Sequence, residues 1–172
     1  SSSALLNYEE QPLRCRKCSS LPQDCAPEWL GHLWPTRGGN PNAPILVIEY
    51  SDYDCPFCKN FHDTMNQIME EYGVTGKVGW VYRQFPLEQL HPNAPRISEA
   101  AYCVGELAGG DAYWKFSDLI FNEREINAPT NMTRLPEFAE TAGADKAKFN
   151  ECLTSGKYKD KVAESIKEGV AA

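Results

Sequence analysis

Nowhere in this 172-residue chain does an apolar run approach the ~20 residues that a membrane-spanning helix needs. Basic residues are scarce: 17 Lys and Arg stand against 24 Asp and Glu, for a net charge of −7. That balance argues against a nucleic-acid surface and for a soluble, monomer-tolerant protein. Residues 1–10 lack both a basic start and an apolar stretch, so no signal peptide is expected there; the chain reads as cytosolic, or as mature or trimmed. Residues 1–44 lack any sustained period of 2 or 3.6 and read as an irregular N-terminal arm.

Cysteine is what the chain has in plenty. Seven in a chain of this length suit an oxidising compartment better than the cytosol, and the odd count leaves at least one thiol over, paired between chains or bound to metal. Three lie in the arm. Cys15, Cys18, Cys25 and His32 follow a C-x2-C-x6-C-x6-H spacing, which offers four N/S ligands for a tetrahedral zinc. The alternatives are a local disulfide with one free thiol, or an auxiliary redox pair of Cys15 and Cys18 beside Arg14, Arg16 and Lys17. Of these the oxidising compartment favours the disulfide, and no metal is required by the chain as a whole.

The chain turns on Cys55-Pro56-Phe57-Cys58. The pair follows the apolar run of residues 45–50, which reads as a strand, and opens an amphipathic segment from Phe57 to Tyr72. At a strand-to-helix junction the first-turn amides and the helix dipole favour a negative sulfur. Cys55 is therefore the expected nucleophile and Cys58 the inward, resolving thiol. Pro56 falls in the first turn, where its missing N–H costs nothing. Phe57, Phe61, Met65 and Ile68, continued by Met69 and Tyr72, form the expected buried stripe. A zinc knuckle or an inert loop disulfide is the bland alternative to redox chemistry.

Glu49 lies six residues before Cys55 in the strand. Buried, it would be a carboxyl of raised pKa able to relay the proton of Cys58; on an edge strand it would simply face water. Asp52 and Asp54 occupy the strand-to-helix turn, where they are expected to cap the helix while opposing negative charge on Cys55.

A second strand is expected over residues 77–85, rich in Val, Trp, Tyr and Phe. Helices are expected over 94–107, 112–121 after a cap at Asp111, 133–142, 145–153, and from Lys157 onward with Val162, Ile166 and Val170 on one face. The result is α/β: a strand-helix-strand unit over 45–90 and an all-helical block over 91–172, behind the arm of 1–44. Tyr113, Trp114, Phe116 and Phe121 read as core. Cys103 and Cys152 read as a disulfide stapling the block, with two buried free thiols as the alternative; such a bridge contributes roughly 3–4 kcal/mol.

Taken together, residues 39–44, Glu49-Tyr50-Ser51-Asp52, Cys55-Pro56-Phe57-Cys58-Lys59, Tyr82-Arg83-Gln84-Phe85-Pro86-Leu87, His91-Pro92, Phe149, Cys152-Leu153 and Ser155-Gly156-Lys157-Tyr158 resemble the DsbA-like thiol-disulfide oxidoreductases. The resemblance covers residues 38–172 and implies a thioredoxin-like fold interrupted by a helical insertion. It implies Cys55 as exchanging nucleophile, Cys58 as resolving thiol and Glu49 as the buried acid, and it supports a Cys103–Cys152 bridge. It further implies a periplasmic or cell-envelope location, cysteine-containing protein substrates and reoxidation by a membrane quinone-linked oxidase. A strongly oxidising member carries a histidine where Phe57 stands, so a milder oxidant is expected here.

In the family a Thr-Pro or similar pair with a cis proline, two strands and a closing helix follow the helical block. This sequence reaches Ala172 about where they should begin, so C-terminal strands are expected to be missing and the redox strand to form a sheet edge. A truncated chain, a partner or second copy supplying the strands by exchange, and another way of covering the edge are the competing accounts. Two functions of other classes follow as alternatives: a non-catalytic interaction or chaperone-like module, and a zinc-binding protein acting through the arm.

Overall fold

The computed structural model describes residues 36–37 and 43–172. Cys15, Cys18, Cys25 and His32, and with them the zinc, disulfide and auxiliary redox alternatives for the arm, lie outside the described residues. Strand β1 is Thr36–Arg37, β2 is Ile45–Ser51 and β3 is Val78–Gln84. Between β2 and β3 the chain forms α1, Pro56–Ile68, and a π-helical turn, Met69–Gly73. The block that follows comprises α2 (Ala94–Ala108), α3 (Gly110–Glu123), a 3-10 turn (Met132–Arg134), α4 (Leu135–Ala142), α5 (Lys146–Ser155) and α6 (Lys159–Ala171).

Sheet order is β1-β3-β2. β2 and β3 run parallel in one unbroken register from Ile45 opposite Val78 to Ser51 opposite Gln84, and β1 pairs antiparallel with β3. β1 is unanticipated, since it falls in a stretch without strand-like alternation. Central β3 is buried from Val78 through Tyr82, as a strand covered on both faces must be. On the other side of β2, no strand pairs with it among the described residues.

Which way α1 faces decides where the site lies. Phe57 is 80% exposed, Phe61 and Tyr72 are also exposed, and the buried positions are His62, Met65 and Met69, with Cys58 packed against the core. Of the expected stripe Met65 and Met69 are buried and Ile68 packs against the core, whereas Phe57, Phe61 and Tyr72 face outward and Cys58 and His62 take the inward places in the first two turns. Here Cys58 packs against the core and its neighbour Phe57 faces outward. On α6, Val162 is buried and Ile166 half-buried against the core, but Val170 is 76% exposed, so the expected stripe stops one turn early.

The core sits between the sheet and the helical block and is largely aromatic. Trp80 of β3 meets Trp114 of α3 at 4.7 Å between ring centroids, Tyr53 stacks on Tyr82 at 5.3 Å, and His62 lies 4.5 Å from Phe121. Tyr113, Trp114, Phe116 and Phe121 are all buried, as core residues. Cys103 and Cys152 are disulfide-bonded, tying α2 to α5 across a Cα–Cα distance of 5.9 Å. α6 reaches the sheet at Gly169, where a Cβ would lie 2.6 Å from the Phe85 ring and 2.7 Å from that of Tyr50. No helix of the described residues is long and apolar enough to cross a membrane.

Candidate active site

Cys55 is the N-cap of α1, in extended conformation, with Pro56 in the first turn. Its carbonyl accepts the amide of Lys59 at 3.2 Å, the first helical bond, and also Nη2 of Arg124 at 3.0 Å. Arg124 is buried, and its Nη1 donates to the carbonyls of Ile126 and Ala128 at 3.3 and 3.0 Å. One guanidinium thus straps the redox turn to the loop that leaves α3. The Lys59 ammonium adds a second tie, donating to the carbonyl of Phe121.

Asp52 and Asp54 do not cap α1, because they are used as anchors elsewhere. Asp52 Oδ1 accepts the amide of Asp54 at 2.7 Å, while its Oδ2 accepts the amide of Leu87 at 2.7 Å and pairs with His91 Nδ1 at 2.9 Å. Asp54 Oδ1 accepts both the amide and the hydroxyl of Thr130, at 2.8 and 2.6 Å. Their negative charge is thereby absorbed by donors from three different segments, and α1 begins with no side-chain cap at all.

Both thiols are free and half-buried. Burial pushes the Cys58 thiol up to about 11; the Ser51 hydroxyl and the Asp52 backbone amide restrain the rise, and the neighbouring Cys55 adds to it. Behind Cys58 lies one face of the parallel pair, on which Glu49 and Ser51 alternate inward from β2 and Trp80, Tyr82 and Gln84 from β3. Glu49 is 7% exposed, so it faces the interior rather than water. Trp80 Nε1 donates to its Oε2 at 2.8 Å. Burial raises the Glu49 carboxyl above its ordinary range, against the lowering pull of the Ser51 hydroxyl, the Trp80 indole and the charge of His62.

The structure therefore brings Cys55, Pro56, Phe57, Cys58 and Glu49 to one end of β2, and places Cys103 and Cys152 in the helical block away from it. Sequence reasoning missed Ser51, whose alternation with Glu49 did signal a shared face, and His62, which stands one turn beyond Cys58. It missed Arg124 and Thr130 for want of any local signal, since they join the turn across 69 and 76 residues. His62 Nε2 pairs with Asp118 Oδ1 at 2.7 Å, and Gln84 Nε2 donates to the hydroxyl of Tyr113 at 2.6 Å, so the floor of the site is pinned to α3.

The model of the family described as thioredoxin matches residues 35–172. The chain is 28% identical over 128 residues to a Na(+)/H(+) antiporter NhaA 3 of Salinispora tropica, covering 74% of this chain and 18% of the antiporter. It is 26% identical over 131 residues to a putative protein-disulfide oxidoreductase of Rickettsia bellii, covering 74% of this chain and 47% of that protein. The chain thus spans less than a fifth of the antiporter and under half of the oxidoreductase. Among solved structures, alpha-DsbA1 of Wolbachia pipientis superposes with a TM-score of 0.63 at 26% identity, over 77% of this chain and 66% of that one. A parallel strand pair flanking a Cys-Pro-Phe-Cys helix start, an inserted helical block and a family match over residues 35–172 put the chain in the thioredoxin family, with the DsbA form of the fold.

Proposed function

We propose that the chain is a thiol-disulfide oxidoreductase that exchanges a Cys55–Cys58 disulfide with protein dithiols outside the cytoplasm. The observation that carries this reading is the unequal placing of the two sulfurs. Cys55 begins α1 beside the 80% exposed Phe57, while Cys58 is turned onto the buried face that holds Glu49. An outer sulfur that a partner can reach, and an inner one that shares the Ser51 hydroxyl as a neighbour with a buried acid, suit sequential exchange.

In the oxidising direction a substrate thiolate attacks the Cys55 sulfur. The Cys55–Cys58 bond breaks, and Cys58 leaves with the electron pair and takes a proton. The substrate's second thiolate then attacks the substrate sulfur of the mixed disulfide and expels Cys55, so that two electrons pass from the substrate dithiol to the cysteine pair. Glu49, whose burial favours the protonated carboxyl, supplies the proton to Cys58 and takes it back when the pair is reoxidised. A membrane quinone-linked oxidase is the proposed oxidant, by likeness to the family. The Cys103–Cys152 disulfide supports a location in an oxidising compartment.

Redox titration of the pair and the rate of oxidation of a dithiol peptide, each against a Cys55→Ser control, test this function. A wild-type rate no greater than that of the control would sink it. A potential more reducing than the glutathione pool would reverse the direction to reductase or isomerase. A second reading, a non-catalytic interaction module or strand-exchanged oligomer, is supported by the side of β2 that no described strand pairs. It expects binding of extended peptides that survives Cys55→Ser.

A further inference from the structure

Three buried polar atoms without a hydrogen-bond partner, Glu49 Oε1, Ser51 Oγ and Tyr82 OH, belong to the same face of the β2–β3 pair. Glu49 and Ser51 are alternate residues of β2, and Tyr82 stands directly opposite Glu49 in the register. Each residue is at most 7% exposed. A buried polar atom left without a partner is costly, so three together beside a half-buried thiol form a cluster that needs a purpose. A hydroxyl can donate to one neighbour and accept from another, and its hydrogen rotates between them. The Ser51 hydroxyl is the common member: it stabilises the ionised forms of Glu49, Cys58 and Tyr82 alike.

We infer that Ser51 is the proton relay between the Cys58 thiol and the Glu49 carboxyl, with Tyr82 orienting its hydroxyl; the inference rests on the exchange reaction proposed above. When Cys58 leaves as thiolate, the Ser51 hydrogen moves to the Cys58 sulfur as the Glu49 proton moves to Ser51 Oγ. The net change is carboxylic acid plus thiolate to carboxylate plus thiol, and serine ends as it began. When Cys58 must attack, the same path runs backward. Trp80 occupies the other carboxylate oxygen, which leaves Oε1 for the relay. Tyr82 stays protonated, because burial and the neighbouring Tyr53, Glu49 and Tyr113 hold its hydroxyl well above the ordinary tyrosine range.

The titratable groups facing the cluster are Cys55 and His62 of α1, Tyr53 of the turn and Tyr82 of β3, with Tyr113 and Asp118 of α3 behind Tyr82 and His62. Of these only Cys55 is altered, and only in the background used to follow the Cys58 titration. Ser51→Ala, Ser51→Thr and Glu49→Gln are made in the full chain and exchange with a dithiol peptide is followed against pH. Ser51→Ala should slow the step on the order of 10–100-fold at neutral pH and move the profile to higher pH, with Ser51→Thr recovering most of the loss. Adding Ser51→Ala to Glu49→Gln should slow the reaction no further, since both act on one proton. In a Cys55→Ser background, thiolate absorbance should show Cys58 titrating at higher pH when Ser51 is alanine. An unaltered chain without exchange overturns the relay and the proposed function together. Normal exchange in Ser51→Ala with an unmoved profile, or multiplying effects in the double variant, overturns the relay alone.

Discussion

Trp80 donates its indole N–H to Glu49 at 2.8 Å, from β3 to the neighbouring strand β2 that leads into the redox pair. The contact joins the aromatic core to the candidate proton donor, because Trp80 also packs against Trp114 of α3 and the His62 ring of α1. A buried acid is thus held by the same residue that holds the fold together.

Replacing that acid should stabilise the protein while impairing exchange. Burial raises the Glu49 carboxyl above the ordinary value of 4.5, so between 4.5 and the folded pKa the native state binds a proton that the unfolded chain does not. Stability therefore falls as pH rises through that window. Glu49→Gln should remove this part of the pH dependence and be more stable than the wild type at neutral pH, as urea titrations at several pH values would register. A steeper loss above pH 5 in the variant would contradict the assignment.

Alkylation should distinguish the two thiols. With Cys58 pushed up to about 11, only about one part in ten thousand is thiolate at pH 7. In the Cys55→Ser variant, where the contribution of Cys55 to the rise is removed and burial remains, labelling by iodoacetamide should still be slow at neutral pH and climb steadily through the alkaline range. Mass spectrometry of the time course measures this directly.

Removal of the Cys103–Cys152 bridge should cost stability rather than activity. The cysteines are 49 residues apart, and releasing a loop of that length costs about 4 kcal/mol in unfolded-state entropy. The double alanine variant should show that loss in its denaturant midpoint, while exchange by Cys55 and Cys58 at low temperature stays near that of the wild type.

Two arginines on neighbouring segments should behave differently. Arg124 is buried and its guanidinium serves the Cys55 carbonyl and the carbonyls of the following loop, so Arg124→Met should destabilise by about 2–4 kcal/mol and open residues 125–131 to protease. Arg134 pairs with Glu123 and Glu137 in solvent, and Arg134→Met should leave stability nearly unchanged. Unfolding and limited proteolysis of the two variants side by side would show whether the buried strap outweighs the exposed pair.

Gly169 offers a test of sign. Alanine within a helix normally stabilises by about 1 kcal/mol over glycine, yet here its Cβ would lie 2.6 Å from Phe85 and 2.7 Å from Tyr50. Gly169→Ala should therefore destabilise, by about 1–3 kcal/mol, as overpacking does. Gly156→Ala is a weaker comparison, because that glycine has open space around it and only its φ of 67° opposes a side chain.

Much of this protein is written locally. The Cys-Pro-Phe-Cys start of α1 follows from a strand pattern, a proline suited to the first turn and a helical period, all of which act within a few residues. β3 was legible because residues 77–85 pack β-branched and aromatic side chains between two turns, and the helix of 94–107 because Gly109 stops it. Glu49 was placed beside the pair by spacing, but whether it faced the core or water was undecided, since β alternation names two faces without saying which is covered.

That choice belongs to the tertiary structure. The helical block, through Trp114 and Phe121, covers the face of β2 and β3 that carries Glu49, Ser51, Trp80 and Tyr82, and so makes the acid buried and the hydroxyls a cluster. The same packing chose Cys58 and His62 over Phe57 and Phe61 for the inward side of the first two turns of α1, while Met65 and Met69 stayed buried. It drew Asp52 and Asp54 away from capping to meet His91 and Thr130, partners 39 and 76 residues distant. Local sequence determines which elements form, because their hydrogen bonds close within the element. Which face of each is buried depends on contacts between distant segments, and in this chain those contacts set the environment of the inner thiol.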